Sequence, residues 1–248
     1  RSSSPVRSAD RPPGLQTSTD TCTILQVDLA RPLSVITPTL DADVLQVLAG
    51  ANASFTAPQV HRFVGGRSES GVRRTLQRLV VQGIVHVPTT GRTNSYVLNR
   101  QHLAAEHVLG LTQLRTRLAD AIAEEVEQWD PSPLGLALFG SAARGTMTTK
   151  SDIDVFVVQP GDEFEDETPA TDATYERWDE QLLGLSWLIT EWTGNDARIL
   201  EYSGREVSAA RHSGFPLESV LVDIADHGMW IIGSSADLRP VPGADGRG

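Results

Sequence analysis

The stretch "LFGSAARGTMTTKSDIDVFVV", residues 138–158, contains the pattern that decides the fold. An apolar segment ends at Gly140 and Ser141, and a second apolar segment follows a short loop, with two aspartates in alternating positions. Side chains alternate between the two faces of a strand, so Asp152 and Asp154 are predicted to share one face. Carboxylates are costly to bury in a sheet unless a cation holds them there. The stretch therefore raises the question of which cation this is.

The residues around the aspartates favour a divalent cation with a bound phosphate. Mg²⁺ prefers oxygen ligands and keeps substrate phosphates in its coordination shell. The letters "SAARG" after Gly140 are typical of the first turn of a helix, where backbone N–H groups and the helix dipole favour an anion. We therefore expect Mg²⁺ and a triphosphate against Asp152 and Asp154. The alternative is a pair of strand aspartates that only form salt bridges.

A Gly-Ser turn, a gap and then Asp-x-Asp in a strand resembles the nucleotidyltransferase superfamily related to DNA polymerase beta. The segments "GSAARG" and "SDIDVFVV" are especially similar to the minimal bacterial and the aminoglycoside nucleotidyltransferases. The resemblance implies a mixed sheet with three carboxylates and metal ions, Mg²⁺ or Mn²⁺, that hold ATP or another nucleoside triphosphate. A nucleotidyl group would pass to an acceptor, with release of pyrophosphate.

The same resemblance implies roles for individual residues. Asp152 and Asp154 would hold the metal and act in catalysis. Arg144 lies one helical turn beyond Ser141, where it would reach a phosphate or form a salt bridge at the sheet edge. The nucleotide-binding residues are predicted to be Gly140, Ser141, Arg144 and Ser151.

The family pattern also requires a third acid on a later strand. The segment "TGNDARILEYS" supplies a turn at Gly194 and Asn195 and then a strand that contains Glu201. We predict Glu201 as the third carboxylate, either the general base or a metal ligand that activates the acceptor hydroxyl. Asp196 competes for this role, although it lies nearer the turn.

The first part of the chain has a different pattern, three helical segments followed by two short strands. The helical segments are "DADVLQVLAGA", with Asp41 as N-cap, "TAPQVHRFV", capped by Thr56, and "SESGVRRTLQRLVVQG", capped by Ser68. The strands "IVHV" and "SYVLN" flank the turn "PTTGRTN". This order predicts a winged helix-turn-helix domain and resembles the winged-helix bacterial regulators.

A winged helix of this kind predicts binding to double-stranded DNA. Its third helix would enter the major groove, and the hairpin tip would lie against the backbone or the minor groove. Contact with another protein is the alternative use of the fold. A winged helix followed by this second domain resembles two-domain proteins of actinobacteria. The predicted phosphate contacts are Arg67, Arg73, Arg74 and Arg92.

Charge and composition agree with two parts that have different partners. The 248 residues carry a net charge of −11, but residues 1–105 hold 11 Arg against 6 acids, while residues 106–248 are strongly acidic. The basic part could meet a polyanion, and the acidic part could do so only with cations. One cysteine and no apolar run near the roughly 18 residues of a membrane span predict a cytoplasmic protein.

Together these patterns predict an α+β protein in which a winged helix-turn-helix domain is joined by a helix to a mixed-sheet nucleotidyltransferase domain. The helical link would bend or break at Gly110 and pack its second half on the nucleotidyltransferase domain. Dimerisation through the link, giving a homodimer, stays open. The predicted boundaries are 1–34 for a disordered leader or extended arm, 35–99 for the winged helix, 100–130 for the helical link, 131–240 for the nucleotidyltransferase domain and 241–248 for a flexible tail.

The predicted activity is metal-dependent transfer of a nucleoside monophosphate to an acceptor hydroxyl. The sequence leaves two other functions open. The chain could be a DNA-binding regulator whose nucleotidyltransferase domain only senses a nucleotide. It could also be a toxin or antitoxin component that modifies RNA or protein.

Overall fold

A computed structural model describes residues 26–88, 94–161, 169–212 and 218–239. The helices and strands build an N-terminal core of their own and a four-stranded sheet that is covered on both faces. No described helix combines the length and apolar character needed to cross a bilayer.

The N-terminal core contains four helices and a small antiparallel sheet. Its sheet has the order β1-β3-β2, and β1 is a short strand that the sequence pattern does not predict. The elements are α1 (Leu40–Ala49), β1 (Phe55–Thr56), α2 (Ala57–Val64), α3 (Glu69–Val81), β2 (Val85–His86), β3 (Ser95–Leu98) and α4 (Ala105–Thr112).

Side-chain caps fix the beginnings of α2 and α3 as predicted. Thr56 forms a reciprocal capping box with Gln59, and the Ser68 hydroxyl accepts a hydrogen bond from the Gly71 N–H. The predicted cap of α1 is wrong, because that helix begins at Leu40 and Asp41 lies in its first turn. An acid in the first turn is favourable to the helix dipole, which explains its presence there.

The second part of the chain forms a mixed sheet with helices on both faces. The sheet order is β6-β5-β4-β7, in which β5 and β6 are parallel and β4 is antiparallel to both of its neighbours. This confirms the predicted α+β class with a mixed sheet. The elements are α5 (Leu114–Val126), β4 (Gly135–Phe139), α6 (Gly140–Arg144), β5 (Ile153–Gln159), α7 (Pro169–Thr193), β6 (Ala197–Ser203), α8 (Gly204–His212), α9 (Ser219–His227) and β7 (Met229–Ile232).

The two faces of β5 belong to different hydrophobic clusters. Val155 and Val157 pack towards α5 and α7, whereas Phe156 and Val158 pack towards α8 and α9. Because side chains alternate along a strand, Asp154 points to the same face as Phe156. The aspartates therefore open on the α9 side of the sheet.

The helical link is divided between the two parts of the chain. It breaks at Gln113 and not at Gly110, so that α4 packs in the N-terminal core and α5 packs against the mixed sheet. The apolar stripes of the two helices face different cores, and one straight helix could not satisfy both.

Residues 26–34, within the segment predicted to be a disordered leader or an extended arm, contact both cores. Leu29 is buried against α5 and the mixed sheet, and Leu33 is buried in the N-terminal core. These two apolar side chains gain from burial and hold the segment in place. Residues 1–25 and the predicted tail at 241–248 lie outside the described residues.

Candidate active site

The site is built around the beginning of β5, where Asp152 and Asp154 lie on one face of the sheet. Asp152 comes directly before the strand, and Asp154 is paired with Phe139, the last residue of β4. Both aspartates are half-buried. The antiparallel pairing with β4 places Asp154 beside the point where α6 begins.

Gly140 forms the turn from β4 into α6 and is needed for two reasons. Its φ of +65° lies in the left-handed region that favours glycine. A Cβ at this position would also overlap the Asp154 Oδ2 atom. The backbone of the turn can therefore lie directly against the Asp154 carboxylate only because residue 140 has no side chain.

The electrostatics of the pair favour a cation. Burial raises the pKa of Asp154 above its ordinary value, and the neighbouring Asp152 charge raises it further, while Arg198 and Arg144 act in the opposite direction. Two oxygen donors of like charge against a glycine turn fit a hard divalent cation such as Mg²⁺ or Mn²⁺. Among the described residues, no three His, Cys, Asp or Glu side chains form a group that could hold one ion. The described residues therefore offer two carboxylates at this point of the sheet.

Arg144 is fixed by an ion pair, the second of the two arrangements open to it. Its Nη1 donates to both carboxylate oxygens of Asp223 on α9, at 2.7 and 2.6 Å. His227 Nδ1 lies 3.3 Å from the same carboxylate. The pair fastens α6 to α9 and keeps a positive charge near Asp154, which partly opposes the rise in the pKa of that carboxyl.

Ser141 and Ser151, which were predicted to bind the nucleotide, form hydrogen bonds within the loop between α6 and β5. The Ser151 Oγ accepts a hydrogen bond from the Thr148 N–H at 3.0 Å, and the Ser151 N–H donates to the Thr148 carbonyl at 3.0 Å. The Ser141 carbonyl accepts a hydrogen bond from the Thr146 N–H at 3.1 Å. In the structure Ser151 shapes the loop that delivers Asp152.

The structure does not bring Glu201 to the aspartates. The parallel register pairs Glu201 with Val157, so Glu201 lies on the opposite face of the sheet from Asp154. There it accepts a hydrogen bond of 2.6 Å from the indole N–H of the buried Trp178. A shift of one residue in register reverses the face of every side chain in a strand, which is why spacing alone misplaced this acid.

Arg198 takes the position beside the aspartates that a third acid was expected to fill. It is paired in register with Asp154, and its Nη2 lies 2.8 Å from the Asp152 Oδ2. Asp196 lies two residues earlier, its carbonyl accepts a hydrogen bond from the Ile153 N–H at 2.8 Å, and its side chain is exposed. Alternation extended from Arg198 therefore brings Asp196 to the aspartate face.

The part of the chain that contains this site matches a known protein family. Residues 119–202 match the model of the nucleotidyltransferase domain family. The match runs from within α5 to within β6 and includes Gly140, Asp152 and Asp154. It covers about a third of the chain and supports the nucleotidyltransferase superfamily for this part. Searches of curated proteins and of solved structures each found no significant match.

Asn195 is a buried residue within the matched region whose role the sequence does not reveal. It is fully buried, its Oδ1 accepts a hydrogen bond from the Val27 N–H at 3.0 Å, and its Nδ2 donates to the Ser151 carbonyl at 2.9 Å. The amide of Asn195 thus joins the segment 26–34, the loop before β5 and the turn before β6. The sequence signals only the Gly-Asn turn, because both partners are distant along the chain.

Replacing Asn195 with alanine is expected to lower the free energy of unfolding by about 1–3 kcal/mol, since the Ser151 carbonyl loses its donor. The Val27 N–H keeps one acceptor, because it also donates to the Thr193 carbonyl at 3.0 Å. Chemical denaturation monitored by tryptophan fluorescence measures this change. Asn195→Asp keeps the acceptor for Val27 but places a buried carboxylate against the Ser151 carbonyl, so we expect it to be at least as destabilising. An Asn195→Ala protein as stable as the wild type would show that these bonds do not hold the loop.

The predicted DNA contacts lie in different surroundings. Arg67 is 3.4 Å from Asp43, and Arg73 is 2.6 Å from Glu69 one turn earlier in α3. Arg74 is exposed and forms no ion pair with any residue that the structure describes. Arg92 lies outside the described residues.

Proposed function

We propose that this protein is a metal-dependent nucleotidyltransferase that moves a nucleoside monophosphate from a nucleoside triphosphate to an acceptor hydroxyl, with release of pyrophosphate. The observation that carries the proposal is the placement of Asp152 and Asp154 on one face, directly against the Gly140 turn. The family match over residues 119–202 supports it.

Each part of the site has a role in this proposal. Asp152 and Asp154 would hold Mg²⁺ or Mn²⁺, which supplies the charge that offsets the phosphates and the developing negative charge of the reaction. Gly140 and Ser141 would let the backbone of the turn approach the triphosphate. Arg144, held by Asp223, keeps a fixed positive charge beside Asp154. Fixed charges that need no rearrangement during the reaction are effective in lowering its barrier.

Asp196 is the acid that we assign to the acceptor. The described β6 side chains on the aspartate face are Arg198, Leu200 and Tyr202, so that part of the strand presents no carboxylate there. Asp196 precedes them on the same alternation and is exposed to an entering acceptor. An exposed carboxylate beside the metal pair can accept the proton of the acceptor hydroxyl.

Label transfer tests the proposed function. The protein is incubated with each α-³²P nucleoside triphosphate and Mg²⁺ or Mn²⁺, against pooled tRNA, cell protein and small metabolites. The γ-³²P triphosphates serve as a second label, because nucleotidyl transfer leaves that phosphate in pyrophosphate. We expect a product labelled only from the α-phosphate and absent with the Asp152→Ala, Asp154→Ala double variant. A product that the double variant also forms would overturn the proposal.

A nucleotide-sensing regulator is the second candidate function. It is favoured by Arg198, which neutralises Asp152 from within the chain, and by the position of Glu201 on the other face. Triphosphate binding that changes affinity for DNA, with no labelled product, would support the sensor. Transfer of the label only to the RNA or protein of a partner that is co-expressed with this chain would instead support a toxin or antitoxin component.

We further propose that the N-terminal core is a winged helix that binds double-stranded DNA through α3. The order of α1, α2, α3, β2 and β3 supports this, as does the exposed side of α3 with Arg73, Arg74 and Gln77. Since Arg73 is paired with Glu69, Arg74 is the described α3 arginine best placed to contact a phosphate.

Arg74→Ala is expected to weaken DNA binding uniformly across sequences and to lower the slope of log affinity against log salt by about 1, the value for one lost phosphate contact. Fluorescence polarisation with a labelled mixed-sequence duplex at several salt concentrations measures both effects. Arg177→Ala, which removes an exposed arginine from α7, is the control. Equal slopes for Arg74→Ala and the wild type would exclude a phosphate contact at Arg74.

A further inference from the structure

Arg198 is a charged group beside the aspartates that the proposed mechanism does not use. Its Nη2 lies 2.8 Å from the Asp152 Oδ2, and the parallel register holds its backbone beside Asp154. The Arg198 side chain is 72% exposed, whereas that of Asp152 is 28% exposed. The arginine therefore reaches the carboxylate from the solvent side, which is the side that a nucleotide must enter.

This contact has two consequences for ligands of the site. A guanidinium on Asp152 competes directly with any cation that needs the same carboxylate. An ion pair this exposed is weak, so an incoming ligand of higher charge can displace it. The displaced guanidinium stays beside the site, and its planar set of donors matches the oxygens of a phosphate.

Arg144 is held more firmly by its partner than Arg198 is. The Arg144 Nη1 donates to both oxygens of Asp223, which ties the side chain to α9. The Arg198 side chain is 72% exposed, against 41% for Arg144, and contacts Asp152 from the rim. Of these two arginines, Arg198 is the one that can exchange its partner without moving a helix.

We propose that Arg198 binds the phosphates of the nucleoside triphosphate and guards Asp152 when no nucleotide is present. This rests on the proposed function, because it takes the aspartates as the metal ligands. In the nucleotide-free protein the guanidinium neutralises Asp152; when metal and triphosphate enter together, it exchanges that carboxylate for a phosphate oxygen. Metal alone displaces the arginine without this compensation, so metal and triphosphate bind cooperatively.

Arg198→Ala should therefore have opposite effects on the two ligands. Binding of Mn²⁺ alone, followed by the loss of the free-ion electron paramagnetic resonance signal, is expected to tighten about 5-fold, at the lower end of the usual range of coupling between sites. Binding of the α,β-methylene analogues of ATP, GTP, CTP and UTP in saturating Mg²⁺, followed by thermophoresis, is expected to weaken by a similar factor. Unchanged affinities, or changes of the same sign, would overturn the proposal.

Two further variants separate this inference from the proposed function. Arg177→Ala, with its ion pair to Asp130 on the other side of the sheet, should leave both affinities as in the wild type. Asp152→Asn should abolish Mn²⁺ binding. If it does and Arg198→Ala binds like the wild type, the role of Arg198 is wrong and the metal site stands. If Asp152→Asn still binds Mn²⁺ normally, the metal site itself is wrong.

Discussion

Asp154→Asn is expected to abolish nucleotidyl transfer and, at the same time, to raise the melting temperature of the metal-free protein. Transfer should fall about 10³-fold or more, because the variant removes the charge that holds the metal against the triphosphate. The stability change has the opposite sign, since the substitution keeps the shape of the side chain and removes a charge that the fold disfavours.

The pH dependence of that gain follows from the raised pKa of Asp154. Burial first and the Asp152 charge second favour the protonated form of Asp154 in the folded protein. The stability that comes from this proton is present below the ordinary carboxyl pKa and is lost as the pH rises through the raised pKa. The advantage of Asp154→Asn should therefore be greatest at neutral pH and disappear on acidification.

Thermal unfolding in EDTA across this pH range, together with the label-transfer assay, measures both effects. Asp179→Asn, at an exposed position of α7, controls for the loss of one negative charge from an acidic chain. An Asp154→Asn protein that retains transfer would contradict this account of the site. So would an Asp154→Asn protein that is less stable than the wild type at neutral pH while Asp179→Asn is more stable.

Gly140→Ala is expected to have the second largest effect. The left-handed backbone at residue 140 costs a residue with a Cβ about 1–2 kcal/mol, and the new methyl group would push the Asp154 carboxylate out of its position. Displacing a reacting group by about 1 Å can lower a rate 10²-fold. We expect a loss of transfer of about that size, measured on protein shown to be folded by circular dichroism.

Gly145→Ala is a matched control for that variant. Gly145 ends α6 with a φ of +66°, so it carries the same backbone penalty, but its Cβ would meet the Arg115 guanidinium and not Asp154. It should lose stability as Gly140→Ala does and keep most of its activity. Equal activities in the two variants would mean that the contact between residue 140 and Asp154 has no catalytic importance.

The sequence could predict the part of the site whose residues lie close together along the chain. Gly140 and Asp154 are fourteen residues apart and are joined by adjacent antiparallel strands, so a turn and an alternation bring them together. The caps at Thr56 and Ser68 were predictable for the same reason, because each is read from three neighbouring residues.

The part that the sequence could not predict depends on register between distant segments. Whether Arg198 or Glu201 lies with the aspartates is decided by how β6 aligns with β5 across the long helix α7. Nothing in the letters "ARILEYS" fixes that alignment. The buried bonds of Asn195 to Val27 and Ser151 likewise join residues that are 168 and 44 positions away.

The most direct test of the central claim is a crystal structure of the protein with Mn²⁺ and an α,β-methylene triphosphate, measured at a wavelength where Mn²⁺ scatters anomalously. The account predicts an anomalous peak in contact with Asp152 and Asp154, with the phosphates against the Gly140 turn and the Arg198 guanidinium moved from Asp152 to a phosphate oxygen. A triphosphate and its Mn²⁺ bound elsewhere, with Arg198 still on Asp152, would contradict it.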